Sequence, residues 1–144
     1  MHRDTLFTTL ARLLLLLAAA TAFGQNSQFS STYQTGTPTA QGNNVTVTLS
    51  TRITNNGTAD ASNVTVTLAN LTAQNQDYGS FPVVTGISAS GGNVLLSQDF
   101  TVPQSVYDSW QNGGAPVFSI SYTVSGNSAS DLIQAAVVPQ DQQL

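Results

Sequence analysis

The amino-acid sequence predicts an all-β sandwich of about seven antiparallel strands. Two observations support this prediction. Apolar and polar residues alternate with a period of two through most of residues 25–139, as they do in strands with one face on a core. Clusters of Gly and Asn separate the alternating runs, and no stretch has the apolar period of a long helix. Two antiparallel sheets packed face to face, in the immunoglobulin-like arrangement, would satisfy this pattern.

The two clearest strands share a hexapeptide. Asn-Val-Thr-Val-Thr-Leu occurs at residues 44–49 and again at residues 63–68. Between the copies, Asn55-Asn56-Gly57 tolerates the left-handed backbone of a turn. Leu71 falls out of phase after the second copy, which predicts a bulge or the end of that strand. Because there is no third copy, the repeat indicates two strands built from the same β-forming residues rather than a solenoid.

Weaker alternating runs complete the set of strands. In one of them Phe81, Val83 and Ile87 would lie on one face, and Pro82 favours an edge or strand-start position. Gly126-Asn127 predicts the turn before the last strand. The predicted strands are at residues 29–33, 45–54, 64–69, 81–87, 94–102, 117–124 and 132–138.

The N-terminal segment has the pattern of a secretory signal peptide. His2, Arg3 and Arg12 give it a positive start, and an apolar run over residues 13–23 follows. That run is too short to span a bilayer, which takes about 20 apolar residues. We predict cleavage between Gly24 and Gln25, with cleavage after Ala22 as the alternative. The mature chain would then be exported, with no membrane span left after cleavage.

The composition after residue 24 is acidic and contains no Lys, His, Glu or Cys. Its only basic side chain is Arg52, which cannot neutralise the several phosphates of a nucleic-acid site. An anionic membrane surface is disfavoured for the same reason. The absence of disulfides favours a bacterial source over a eukaryotic one. The acidic residues are Asp60, Asp77, Asp99, Asp108, Asp131 and Asp141.

The same composition excludes most catalytic chemistry. Without His or Cys the mature chain cannot assemble a Ser–His or Cys–His nucleophile, or a classical zinc site. The aspartates are isolated and mostly stand beside turn formers, so no carboxylate pair for glycoside hydrolysis is indicated. We therefore predict that the protein is not an enzyme and has no cofactor. Calcium is the alternative, because it needs only oxygen ligands, although no Asp-x-Asp-x-Asp-Gly loop is present.

Three aromatic residues are the candidate ligand-binding side chains: Tyr78, Tyr107 and Trp110. A helical turn is predicted at residues 105–111 with Ser105 as its N-cap, which would place Tyr107 and Trp110 on one face. Exposed aromatic side chains of this kind stack on sugar rings in carbohydrate-binding modules. The alternative is that this face plugs the open end of the sandwich, since large aromatic side chains are mostly buried.

Residues 45–66 join an alternating strand, an Asn-x-Gly-x-Ala turn and a second alternating strand. Further along, Phe-Thr-Val-Pro at residues 100–103 and Ser-Tyr-Thr-Val-Ser-Gly at residues 121–126 look like the closing half of the same pattern. Over roughly residues 43–139 the chain resembles the bacterial immunoglobulin-like modules of the CARDB type, which are cell-adhesion-related β-sandwiches. This resemblance implies extracellular adhesion, spacing or accessory roles, and it carries no catalytic residues.

The predicted organisation has three parts: a cleavable signal peptide at 1–24, the sandwich at 25–139, and a short disordered tail at 140–144. We predict a non-catalytic binding or adhesion module that contacts a protein partner at the cell envelope or outside the cell. Its location would be extracellular or periplasmic. The alternative function is a carbohydrate-binding module that uses the exposed aromatic side chains.

Overall fold

A computed structural model describes residues 27–73 and 76–144. The predicted signal peptide and its cleavage pair, Gly24 and Gln25, lie outside these residues. No helix in the described ranges is long and apolar enough to cross a membrane. The elements are β1 (Phe29–Thr35), β2 (Thr39–Gln41), β3 (Asn44–Asn55), β4 (Ala61–Leu68), β5 (Gly79–Ser80), β6 (Val84–Ile87), β7 (Gly92–Pro103), α1 (Gln104–Gln111), β8 (Val117–Val124), β9 (Asn127–Gln134) and β10 (Ala136–Val137).

The first sheet is built around β3. One edge of β3 pairs antiparallel with β7 along its whole length, from Asn44 opposite Pro103 to Asn55 opposite Gly92. Its other edge pairs with β1 and, nearer its start, with β2. Beyond β1 lies β10, which pairs with β1 in parallel. In this sheet β7 therefore forms one edge, and β10 together with the short strand β2 forms the other.

The second sheet is built around β4 and β8. These strands pair antiparallel, and β9 lies on the outer side of β8 as an edge strand. The other edge of β4 pairs with the short strands β5 and β6. The prediction of an all-β sandwich is confirmed, with three strands of two or three residues in addition to the longer ones.

The core lies between the two sheets, and the repeated hexapeptide contributes to it from both sides. The first copy lies in β3 and the second in β4, so the copies belong to opposite sheets. The apolar residues of each copy are buried, while the threonines point outwards. The facing core residues are Val45, Val47 and Leu49 from β3, and Val64, Val66 and Leu68 from β4.

Two details of the predicted strands are wrong. Phe81 and Ile87 are buried as predicted, but Val83 is 62% exposed, because the strand at residues 81–87 forms only from Val84 onwards. The segment before it contains Pro82, which cannot donate to a ladder. The last strand was predicted as one piece, whereas β9 begins already at Asn127 and the chain leaves the sheet after Gln134.

The end of the chain crosses from the second sheet to the first. Ala135, buried between β9 and β10, donates its backbone N–H to Pro116 O at 2.9 Å. β10 then pairs with β1, and Val138 N donates to Tyr33 O. Residues 140–144, for which a disordered tail was predicted, follow directly, and Leu144 O accepts a hydrogen bond from Arg52 Nη2 at 2.9 Å.

Candidate functional site

Helix α1 closes one end of the sandwich, where the chain passes from β7 in the first sheet to β8 in the second. The predicted N-cap Ser105 is wrong, because the helix begins one residue earlier, after Pro103. Pro103 is still paired with Asn44, and Gln104 N donates to Asn43 O at 2.9 Å, so the strand runs directly into the helix. The helix ends at Gln111, as predicted.

The three candidate aromatic residues meet at this end of the molecule. Trp110 is the buried residue of α1, with only 7% of its surface exposed. The Tyr107 ring packs edge-on against it, with ring centroids 6.3 Å apart. Tyr78 is half-buried, and burial raises the pKa of its hydroxyl above the ordinary value. The geometry thus brings the predicted residues together, with Trp110 packed inwards as a plug.

Two grooves flank the Trp110 side chain. One has a volume of about 200 Å³ and lies between Trp110 and Tyr78, with Leu71, Asn70 and Thr72 along its margin. Its lining is mostly apolar, and Leu71 is 60% exposed beside it. The other groove, of about 360 Å³, lies on the opposite side of Trp110, next to Tyr33 and the β10 segment. Both shallow spaces therefore lie at the helix end of the sandwich.

A separate candidate site is the outer face of β3 and β7, which we call the hydroxyl face. It consists of cross-strand pairs of short polar side chains joined by hydrogen bonds. The two threonine Oγ1 atoms of the first pair lie 2.8 Å apart, and the two serine Oγ atoms of the third lie 3.0 Å apart. The pairs are Thr46 with Thr101, Thr48 with Asp99, and Ser50 with Ser97, followed by Arg52 bonded to Asn93.

The hydroxyl face is ordered because each side chain is held by its neighbour across the strands. Cross-strand pairs that are not joined by backbone hydrogen bonds bring side chains closest together in an antiparallel ladder. In that geometry Thr48 donates to the Asp99 carboxylate and Arg52 Nη1 donates to Asn93 Oδ1 at 2.6 Å. The sequence indicates solvent-facing threonines at residues 46 and 48, but it does not show that Thr101 and Asp99 lie beside them. The sequence signal for this face is that every second residue is polar both at 46–50 and at 97–101, so that two such strands side by side would bring the polar side chains together.

A third polar cluster surrounds Asp131, which lies on the inward side of the edge strand β9. Its Oδ2 accepts hydrogen bonds from Tyr122 Oη and Ser27 Oγ, both at 3.0 Å. Burial, the hydrogen bond to Asp131 and the charge of that carboxylate together raise the pKa of Tyr122 to about 12. The Phe29 ring covers the tyrosine edge-on at 4.8 Å. Since the hydroxyl keeps its proton and is held in place, this cluster supports the fold.

The aspartates of the described chain are spread over separate places. No group of three or more His, Cys, Asp or Glu side chains that could hold a metal ion occurs in residues 27–73 and 76–144. Asp60 accepts from Ala89 N at 2.8 Å, and Asp108 accepts from Gln104 Nε2 at 2.9 Å. The first contact ties a loop to the fold and the second lies within α1, and the calcium alternative has no cluster of ligands among those residues.

Sequence comparison adds no relative to this description: no protein-family model matches the chain, and no curated protein matches it. The resemblance to the CARDB type therefore remains a prediction, and it rests on residues 45–66 and the closing strands. The fold and the surfaces described above carry the functional argument.

Proposed function

We propose that this chain is an exported, non-catalytic binding or adhesion module that contacts a protein partner at the cell envelope or outside the cell. The single observation that carries the proposal is the hydroxyl face of β3 and β7. It is exposed, regular and held by side-chain hydrogen bonds before any partner arrives. A preordered surface loses little conformational entropy on binding, so its polar contacts contribute more fully to affinity.

The chemistry of the face suits a protein partner. Hydroxyl groups both donate and accept hydrogen bonds, and the carboxylate of Asp99 with the guanidinium of Arg52 adds one charge of each sign. Such a mixture complements the polar rim and bridging waters that typical protein–protein interfaces contain. Export to the cell envelope follows from the predicted signal peptide, which provides the second support for the proposal.

The repeated hexapeptide provides a matched test of this function. Thr48 and Thr67 occupy the same position in the two copies, but they lie on the outer faces of opposite sheets. The protein, immobilised and exposed to envelope proteins of the producing cell, should retain a partner. Thr48→Lys should abolish this retention, because a long, positively charged side chain would project from the hydroxyl face and block contact with the partner. Thr67→Lys should leave the retention intact. No retained protein, or equal loss with both variants, would overturn the proposal.

The groove beside Trp110 favours a second candidate, a carbohydrate-binding module. Tyr78 forms one wall, and Asn70 and Thr72 place an amide and a hydroxyl at its margin. An apolar wall with a few polar groups at its edge is the usual form of a small-molecule site. The half-buried Tyr78 would supply the stacking surface of this groove, because Trp110 itself is packed inwards.

Trp110 is the only tryptophan of the chain, so its fluorescence reports on the grooves beside it, and Tyr78 distinguishes this groove from the other. Soluble polysaccharides that bind there should quench or shift the emission, and Tyr78→Ala should remove the response. Ser130→Ala, on the outer face of β9, is the control and should respond like the unmodified protein. An emission spectrum unchanged across a broad polysaccharide panel would eliminate the sugar candidate.

A further inference from the structure

The second long edge of the first sheet is open along β7. Within residues 27–73 and 76–144, the only backbone ladder of β7 is the one with β3. Pairs joined by backbone hydrogen bonds alternate with unjoined pairs along this ladder. Gln104 N donates to Asn43 O, next to the pair formed by Asn44 and Pro103, and this bond shows which pairs are the joined ones. Every second residue of β7, counted back from Gln104, therefore directs its backbone N–H and C=O groups at β3. The residues between them direct these groups away from β3.

Five residues of β7 direct their backbone groups away from β3, and together they form a row of free backbone donors and acceptors. They present about ten N–H and C=O groups to the open side, one of each per residue. All five are exposed, including Leu95 with 53% of its surface. They are Asn93, Leu95, Ser97, Asp99 and Thr101.

This edge has few of the features that normally prevent strand pairing, and the charged side chain of Asp99 is the exception among its residues. Natural edge strands are blunted by lysines, prolines, bulges or inward-pointing charges. The edge strand of the second sheet, β9, has such a charge in Asp131. By contrast, β7 has no lysine, its register with β3 runs without a bulge, and its one proline is the final residue Pro103. The free edge of β7 is therefore competent to pair.

The residues of β7 that face the core are also incompletely covered. Phe100 and Val102 are buried, but Val94 and Leu96 on the same face are only half-buried. Gln98 is half-buried as well, and its Nε2 donates to Ser80 O at 2.8 Å. A neighbouring strand with apolar residues in the matching phase would cover them. β7 itself is a strand of that kind, with Val94 and Leu96 in that phase.

We propose that β7 pairs antiparallel with β7 of a second copy of this chain, about a two-fold axis through Ser97. Ser97 then lies opposite Ser97 of the second copy, Leu95 opposite Asp99, and Asn93 opposite Thr101. Each of these is a hydrogen-bonded pair, so the free N–H and C=O groups of both edges are satisfied. The two first sheets become one continuous sheet, and Leu96 packs beside Gln98 of the second copy.

The charges select this register. Arg52 lies opposite Leu95 on β3, so the second copy's Asp99 comes into the same row as Arg52 across two strand spacings, roughly 10 Å. A register centred on Asp99 would instead place the two carboxylates directly opposite each other, which is destabilising. A strand that fits this edge therefore has apolar side chains facing the core and one acidic residue two positions from the two-fold axis. β7 has both features, with Asp99 two positions from Ser97.

This inference is independent of the proposed function, because the dimer leaves the outer hydroxyl face open for a partner. Its test uses Ser97→Cys in a chain that otherwise has no cysteine. Cα atoms of a hydrogen-bonded antiparallel pair are about 5.5 Å apart, within the range of a disulfide. Under mild oxidation the purified Ser97→Cys protein should form a covalent dimer rapidly. Ser130→Cys, equally exposed on β9, should cross-link only at the slow rate of random collision.

A second pair of variants separates the backbone from the side chain. Ser97→Pro removes an N–H that faces the open side and should give a monomer in light scattering, whereas Ser97→Ala keeps the N–H and should remain dimeric. If the proline variant does not fold, Ser97→Lys replaces it, because two ammonium groups would then meet at the axis. A monomeric unmodified protein, equal cross-linking of the two cysteine variants, or a dimer unaffected by Ser97→Lys would overturn the inference. A monomer that still retains an envelope protein would overturn the dimer and leave the proposed function intact.

Discussion

The side chain of Asn55 connects three segments at one end of the sandwich. It is fully buried, and its amide donates to Ala59 O at 3.1 Å and to Ile87 O at 3.0 Å. Its carbonyl oxygen accepts from Gln28 Nε2 and from Gly57 N. The sequence predicted a turn here, but the turn signal did not show that one amide would join β3 to the loop and to β6.

We expect Asn55→Ala to lower the free energy of unfolding by about 2–3 kcal/mol, because it leaves several buried backbone and side-chain groups without partners. Denaturation in urea measures the change. Asn56→Ala is the matched control: its amide makes one exposed hydrogen bond, to Ser30 Oγ at 2.8 Å, so its effect should stay within about 0.5 kcal/mol. Equal effects of the two substitutions would contradict this assignment.

Tyr122 makes the stability depend on alkaline pH. Its pKa in the folded protein is about 12, against an ordinary value of 10.0. The folded state therefore holds the proton more tightly, so this contribution is complete below the unfolded pKa and is lost as the pH rises towards the folded pKa. We expect the free energy of unfolding to fall over that interval and to fall less steeply in Tyr122→Phe. Since burial also raises the pKa of Tyr33 and Tyr78, part of the slope should remain. Identical slopes in the two proteins would contradict the role of Tyr122.

At the scale of elements, the two copies of the hexapeptide differ in one backbone angle. Asn63 begins the second copy with φ of 49°, at the register shift between Ser62 and Thr65. Asn44 begins the first copy in a regular ladder with β2 and β7. The same residue type thus lies at a bulge within β4 in one copy and at the regular start of β3 in the other.

Valine at these two positions should reveal the difference. Asn63→Val should destabilise the protein by about 1–2 kcal/mol, because a β-branched residue is strained in left-handed backbone. Asn44→Val should be neutral or slightly stabilising, since valine favours regular strands. Thermal unfolding of the two variants, run side by side, tests this expectation. A larger loss of stability for Asn44→Val than for Asn63→Val would contradict it, because valine at residue 63 would then be accommodated without strain.

Helix α1 covers the core mainly through Trp110, its one buried residue, with Val106 and Tyr107 packed beside it. We expect Trp110→Ala to cost about 3–5 kcal/mol in unfolding free energy, the usual price of truncating a large buried aromatic side chain. Tyr107→Ala, which removes a half-buried ring from the same helix, should cost clearly less. Guanidinium denaturation distinguishes the two. Near-equal small losses would indicate that the Trp110 side chain is not part of the core and would strengthen the sugar-binding alternative.

For the whole molecule, the alternation of apolar and polar residues was sufficient to predict the sandwich. It placed β1, β3, β4, β7 and β8, and it gave the inward phase of the last four. It did not separate β9 from β10, because Ala135 and its neighbours continue the alternation while the chain changes sheets. The hairpin before β9 turns at Ser125 and Gly126, one residue earlier than predicted, since both adopt the positive φ that a two-residue hairpin requires.

The candidate sites were harder to predict than the fold. The three aromatic residues were named from sequence, and the structure brings them together, but whether they are exposed depends on the helix that buries Trp110. The hydroxyl face and the open β7 edge depend on which strands are neighbours. That information lies in long-range pairing, such as Thr48 with Asp99, which periodicity along one strand does not contain.

The charge inventory of the whole chain predicts resistance to acid. Proteins unfold in acid largely because many cations repel one another once the carboxylates are neutral. In the described residues Arg52 is the only basic side chain, so little positive charge can accumulate. We expect a native-like circular dichroism spectrum at about pH 2, together with low solubility. Cooperative loss of the β-sheet signal in low salt, reversed by added salt, would contradict this prediction.

The parallel pairing of β10 with β1 has a mechanical consequence. The first and last strands of the domain lie side by side and run in the same direction, and Val138 N adds a further bond to Tyr33 O. Tension applied at the two ends of the domain therefore slides these strands along each other, so their hydrogen bonds bear the load together instead of opening one after another. A module joined into a longer assembly through its ends would resist stretching at this seam first.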